Sequence, residues 1–117
     1  QEDLMYYTLH KVASMGSFAF GADMYGTGKA LWDKEDIKNA GAPLRETRSK
    51  MVARTLAAYR TMQQCAEVDS SQLFSLGFCF GGLAVLDLAR SGAAESLRTT
   101  FSVHGILDSP DLSPQFG

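Results

Sequence analysis

The succession of apolar segments predicts an α/β fold built on parallel strands, in the order helix, strand, loop, helix, strand, helix, strand. Three observations carry this. Apolar residues recur at helical spacing over 2–14, 44–67 and 83–90. Short apolar runs at 17–22, 73–78 and 99–104 alternate with them, and Gly or Pro marks most of the joins. With 117 residues, 45% of them hydrophobic and 21% charged, the chain is expected to form one partial domain, 1–117, rather than a disordered segment. A folded chain of this size buries roughly 60–70% of its unfolded surface.

Each element has a local reason. Met5, Leu9 and Val12 fall on one face of a first helix that Gly16 can close. Residues 17–22 (S-F-A-F-G-A) read as a largely apolar strand, of the kind covered on both faces in a parallel sheet. Gly26, Gly28, Gly41 and Pro43 then make 23–43 a long loop, with one or two helical turns between Trp32 and Asn39. Met51, Thr55, Ala58 and Met62, flanked by Val52, Leu56 and Tyr59, give a long helix over 44–67, its basic residues a solvated face. Residues 73–78 (L-F-S-L-G-F) form a second strand, 83–90 a helix ended near Gly92, and 99–104 a third strand. A Gly, Asp and Pro-rich tail follows from 105 to 117.

Composition excludes several classes of function. Eleven Lys and Arg against thirteen Asp and Glu, scattered along the chain, offer no basic stripe for nucleic acid. The longest apolar runs fall far short of the roughly 20 residues of a membrane helix. Cys65, Cys79, His10 and His104 stand singly, without the paired spacing of a zinc site, so no zinc site is expected. The two cysteines read as reduced thiols, which leans toward the cytoplasm without fixing a compartment. The chain opens at Gln1 directly on a helical pattern and reads as a cut through a longer protein.

The chemistry concentrates in Gly77-Phe78-Cys79-Phe80-Gly81-Gly82, a G-x-C-x-G-G sequence at a strand-to-helix junction. It is the thiol counterpart of the G-x-S-x-G nucleophile elbow. A sharp turn there needs small residues where strand and helix approach, a need met by Gly77 and Gly81, with Gly82 allowing close helix packing. The turn sets the Cys79 sulfur at the amino end of the next helix, whose dipole favours the anionic nucleophile. The backbone N–H of Phe80 can face the oxyanion of a tetrahedral intermediate.

In these stretches the chain resembles the dienelactone hydrolase family of the α/β-hydrolase superfamily. The likeness rests on 20–29 (F-G-A-D-M-Y-G-T-G-K), the cysteine elbow at 76–82, 89–92 (A-R-S-G) and 101–105 (F-S-V-H-G). It implies a fragment of a three-layer α/β-hydrolase sandwich that cleaves small carboxylic esters or lactones through Cys79, without metal or cofactor. In the family a histidine base and an aspartate follow much later in the chain, and an earlier loop gives a second oxyanion donor. All three are expected outside 1–117, as is a strand lying between 17–22 and 73–78, so these residues alone are not expected to be a stable, active enzyme. In the family the H-G at the place of His104 is not the catalytic base, and the residue at Asp23 organises its loop; Tyr25 and His104 are expected as pocket walls.

Local alternatives are weaker. A triad of Cys79, His104 and Asp108 has the right residue types, but Asp108 reads as a turn residue ahead of Pro110. Gly26-Thr27-Gly28-Lys29 is akin to a phosphate loop and fails its pattern. Lys29 is also the one cation in the loop where dienelactone-specific members carry an arginine, and it lacks the bidentate fork for a substrate carboxylate. Two other functions compete with hydrolysis: a truncated hydrolase-like module that only packs against a partner, and a redox-sensing thiol at Cys79.

Overall fold

The structure is a computed structural model that describes residues 2–26, 28 and 31–109. Thr27, Lys29, Pro110 and the rest of the expected tail lie outside the described residues. The elements are α1 (Glu2–Ser14), α2 (Lys34–Glu46), α3 (Arg48–Gln63), β1 (Leu73–Phe78), α4 (Phe80–Arg90) and β2 (Leu97–Val103). β1 and β2 run parallel and are joined through α4, so the class is α/β.

The expected strand at 17–22 is not one. No ladder joins it to β1, and a cleft of about 230 Å³ separates Gly16, Ser17 and Phe18 from Gln72, Leu73 and Phe74. A strand is defined by its neighbour, and a run containing Ser, Gly and two Ala has little β preference of its own to substitute for one. The third expected strand, 99–104, is shifted: β2 begins at Leu97 and stops at Val103, because His104 turns to φ 56° and cannot continue the ladder.

The region 23–67 also differs from expectation. Asp33 caps α2, its carboxylate accepting from the backbone N–H of Glu35 (2.8 Å) and Asp36 (3.3 Å), with acidic residues in the first turn favoured by the helix dipole. The helix runs on through Gly41 and Pro43, residues that otherwise read as loop punctuation, with Gly41 and Leu44 buried against the core, where packing overrides intrinsic propensity. The break comes instead at Thr47, whose N–H donates to the Pro43 carbonyl at 3.1 Å. α3 ends at Gln63, which leaves Cys65 in the following turn and not on the helix. That turn leads into β1 through Asp69, whose carboxyl is held below its ordinary range by hydrogen bonds from the Ser71 hydroxyl and backbone N–H.

The core lies on one face of the two-stranded sheet. Leu44, Met51, Leu83 and Ala84 form one buried cluster, and Tyr59, Leu73, Leu88 and Ala94 a second. Each fully buried Leu or Met in them is worth about 1.5–3 kcal/mol. Tyr59 is kept satisfied by donors from Ser96 N (3.1 Å) and Gln63 Nε2 (3.2 Å). Asp87 of α4, only 1% exposed, is gripped by Arg48 through Nε (2.6 Å) and Nη2 (2.9 Å), with Arg90 at 3.3 Å. The Asp87 hydrogen bonds raise the Arg48 pKa against the opposing effect of burial. In contrast, α1 packs on no other described helix or strand, and its Met5 and Leu9 lie against Gly21.

Candidate active site

Cys79 is the pivot between β1 and α4. It adopts φ 51° and ψ −114°, a conformation that costs a non-glycine residue of order 1–3 kcal/mol. It is held there from both sides: its N–H donates to the Val103 carbonyl of β2 (3.0 Å), and its own carbonyl accepts from Leu83 N (3.3 Å). The residue caps α4 with no side-chain hydrogen bond to the helix, and it is exposed. The thiol is therefore presented at a helix amino end instead of being sealed in the core. Phe80 follows as the first helical residue, where a backbone N–H has no acceptor within the helix.

The glycines divide by role. A Cβ on Gly77 would collide with the carbonyl of Gly81 and approach Gly82 N to 2.7 Å. A Cβ on Gly82 would meet Ser102 Oγ at 2.7 Å and Gly105 Cα at 2.9 Å. Gly81 differs from the expectation that it supplies room: a Cβ there meets nothing within 4 Å. What matters at 81 is its carbonyl, which lies against Gly77. The close approach of α4 to the sheet thus rests on Gly77, Gly82 and Gly105, the last a contact that the elbow motif alone does not reveal.

His104 and Cys79 occupy the step after the register pair Phe78↔Val103, so they leave the sheet side by side at its carboxyl end. Neighbouring strands lie about 4.8 Å apart. His104 is exposed, with φ 56°. On the other flank, Asp23 organises its loop as expected, accepting from Tyr25 N (3.0 Å), Gly26 N (2.9 Å) and Gly28 N (2.8 Å). Met24, Tyr25 and Phe80 all pack on the Leu44, Met51, Leu83 and Ala84 cluster, which brings the Tyr25 loop to the elbow.

Three basic residues read as a solvated helix face have definite partners. Arg54 donates to the Met24 carbonyl at 2.6 Å, tying α3 to the Tyr25 loop. The Arg45 guanidinium stands 5.2 Å over the Phe80 ring. Arg48 reaches both Asp87 and Asp108, which is therefore no simple turn residue. Basic residues on a helix show no partner in sequence, since their acceptors lie 30 to 60 positions away.

The model of the dienelactone hydrolase family matches residues 2–115. The chain belongs to the dienelactone hydrolase family. Its fold class is accordingly that of an α/β hydrolase, and hydrolase chemistry in general follows from membership. No curated protein and no solved structure matches the chain. Among the described residues no group of three or more His, Cys, Asp and Glu could hold a metal ion, and no helix is long and apolar enough to cross a membrane.

Proposed function

We propose that the protein hydrolyses small carboxylic esters or lactones with Cys79 as nucleophile. The observation that carries this is the exposed thiol held at φ 51° and ψ −114° between β1 and α4. Backbone strain of that kind persists only where the surroundings over-determine it, and here it accompanies an exposed thiol at a helix amino end. The Cys79 thiol gives its proton to a general base, the histidine expected outside 1–117, and the sulfur attacks the acyl carbon, so that the carbonyl oxygen becomes an oxyanion facing the Phe80 N–H. Collapse of the tetrahedral intermediate breaks the C–O bond. The leaving oxygen takes the proton back from that base, the alcohol departs or in a lactone stays tethered, and a thioester forms on Cys79. Water then cleaves the thioester, giving the carboxylic acid and the free thiol. Tyr25 and His104 wall the site, while Gly77 and Gly82 let the elbow close.

The test is to incubate the intact protein with an activated small ester and weigh it. Transient acylation mapping to Cys79, lost in Cys79→Ala, supports hydrolysis. Acylation elsewhere, or turnover unchanged in that variant, removes Cys79 from the chemistry. Modification by peroxide alone would favour a sensing thiol.

The exposed apolar residues favour a second reading, a module that packs against a partner. Tyr7, Leu4, Phe101, Val103 and Phe78 are all between 42% and 64% exposed. Lack of any ester turnover, together with a stable complex that covers these residues, would establish that reading.

A further inference from the structure

The ion pair at the far end of α4 has a reach that burial alone does not explain. Arg48 grips buried Asp87 with two nitrogens and still extends Nη1 to the Asp108 carboxylate (3.2 Å) and Nη2 to the Asp108 backbone carbonyl (3.3 Å). Arg90 donates to that same carbonyl at 3.2 Å. Two arginines thus converge on one backbone oxygen of the segment that leaves β2. At its other end this segment is seated by Gly105, whose backbone lies against Gly82 in the first turn of α4.

Three residue steps from Gly105 to Asp108 span at most about 10 Å. Along α4, the five positions from Gly82 to Asp87 rise about 7.5 Å. Residues 105–108 are therefore long enough to bridge from the seat at Gly82 to Arg48 and Arg90, the two arginines that Asp87 holds, with His104 just before the seat.

The geometry points to an ionic latch in which Arg48 and Asp87 are positioning residues: through Asp108 they hold the segment after β2 against α4 and so fix His104 at the mouth of the cysteine site. The catalytic half of this statement rests on the hydrolase reading above; the mechanical half does not. Arg48 touches no reacting atom. Its effect passes through the backbone of 105–108, where slack of an ångström would move a pocket wall.

Removing one partner alone would strand a buried charge and could unfold the protein, so the decisive variant replaces both, Arg48→Met with Asp87→Leu, an exchange that buried ion pairs often tolerate. Asp108→Ala, which removes an exposed carboxylate only, is the milder companion. Backbone amide order parameters of 105–108, measured in the intact protein, should fall from about 0.85 to below about 0.6 in the double variant. Turnover number for a small activated ester should drop about tenfold with KM little changed, while iodoacetamide alkylates Cys79 within about twofold of the wild-type rate. Asp108→Ala should move both in the same direction by a smaller factor. Unchanged order parameters in the folded double variant overturn the latch. Loosened amides with unchanged turnover overturn the positioning role and leave a mere tether. If the wild-type protein turns over no ester at all, the hydrolase reading fails, and the order parameters still decide the latch.

Discussion

The two faces of the β1–β2 sheet have opposite characters. The face under α4 carries Leu73, Ser75, Gly77, Thr100 and Ser102, mostly small side chains, with Ser75 Oγ donating to Thr100 Oγ1 at 3.0 Å. The other face carries Phe74, Leu76, Phe78, Phe101 and Val103, large apolar side chains that no described element covers. Small residues let a helix come close, and close approach is what converts a strand end into a strained elbow. The large residues of the open face would keep a covering helix near the usual separation of packed layers, about 10 Å. Apart from the ladder bond to the Val103 carbonyl, the contacts that let the elbow close therefore belong to the first face, and the side chains of the second should be nearly silent in stability and chemistry.

The largest effect expected on the covered face comes from Asp87→Ala. It leaves Arg48, itself mostly buried, without its bidentate partner, and should cost about 3–5 kcal/mol in a denaturant titration. A cost below 1 kcal/mol would mean that water reaches Arg48 and that this face is looser than its packing implies. Next is Gly77→Ala. Its new methyl has only rigid backbone in front of it, the Gly81 carbonyl and Gly82 N, so the elbow must open. Overpacking of this kind costs about 1–3 kcal/mol, and Cys79 reactivity should fall with stability. The control is Gly81→Ala, at a position with open space, which should change stability by less than about 1 kcal/mol.

A third, smaller effect has the opposite sign. Comparing Cys79→Gly with Cys79→Ala removes the thiol from both and isolates the backbone. Glycine adopts φ 51° without strain and alanine does not, so the glycine variant should be the more stable by about 1 kcal/mol. Equal melting temperatures would show that the elbow conformation costs nothing, and the main support for a functional cysteine would be lost.

The same contrast explains which parts of the molecule were legible in the sequence. β1 at 73–78 was readable because an apolar run ends in a G-x-C-x-G-G turn, where local chemistry alone dictates the geometry. Gly77 and Gly82 were readable for the same reason. The segment at 17–22 has a comparable apolar run, yet whether it pairs depends on a neighbour, and composition says nothing about that. α2 was obscured by Gly41 and Pro43, because what holds the helix past these breakers is the burial of Gly41 and Leu44, which only the tertiary structure supplies. Arg48, Arg54 and Gly105 were illegible on principle. Their roles exist only through Asp87 and Asp108, Met24, and Gly82, and no spacing rule links positions so far apart along the chain.

The smallest expected effect lies on the open face and tests the contrast most sharply. Phe101 is 50% exposed and meets Phe74 edge to face, ring centroids 6.1 Å apart. Replacing it with Thr, a β-branched residue that also favours strands, leaves the ladder to Leu76 undisturbed. What is lost is half of a large side chain's burial and one aromatic pair, worth about 0.5–1.5 kcal/mol. The melting stability of the intact protein should therefore change by about 1 kcal/mol or less, with Cys79 alkylation unaltered. A change that small means that the face is open in the working molecule. A loss of about 3 kcal/mol or more, the range of a core phenylalanine, means that another segment or partner covers it. The asymmetry between the faces would then belong to this stretch of chain and not to the folded protein.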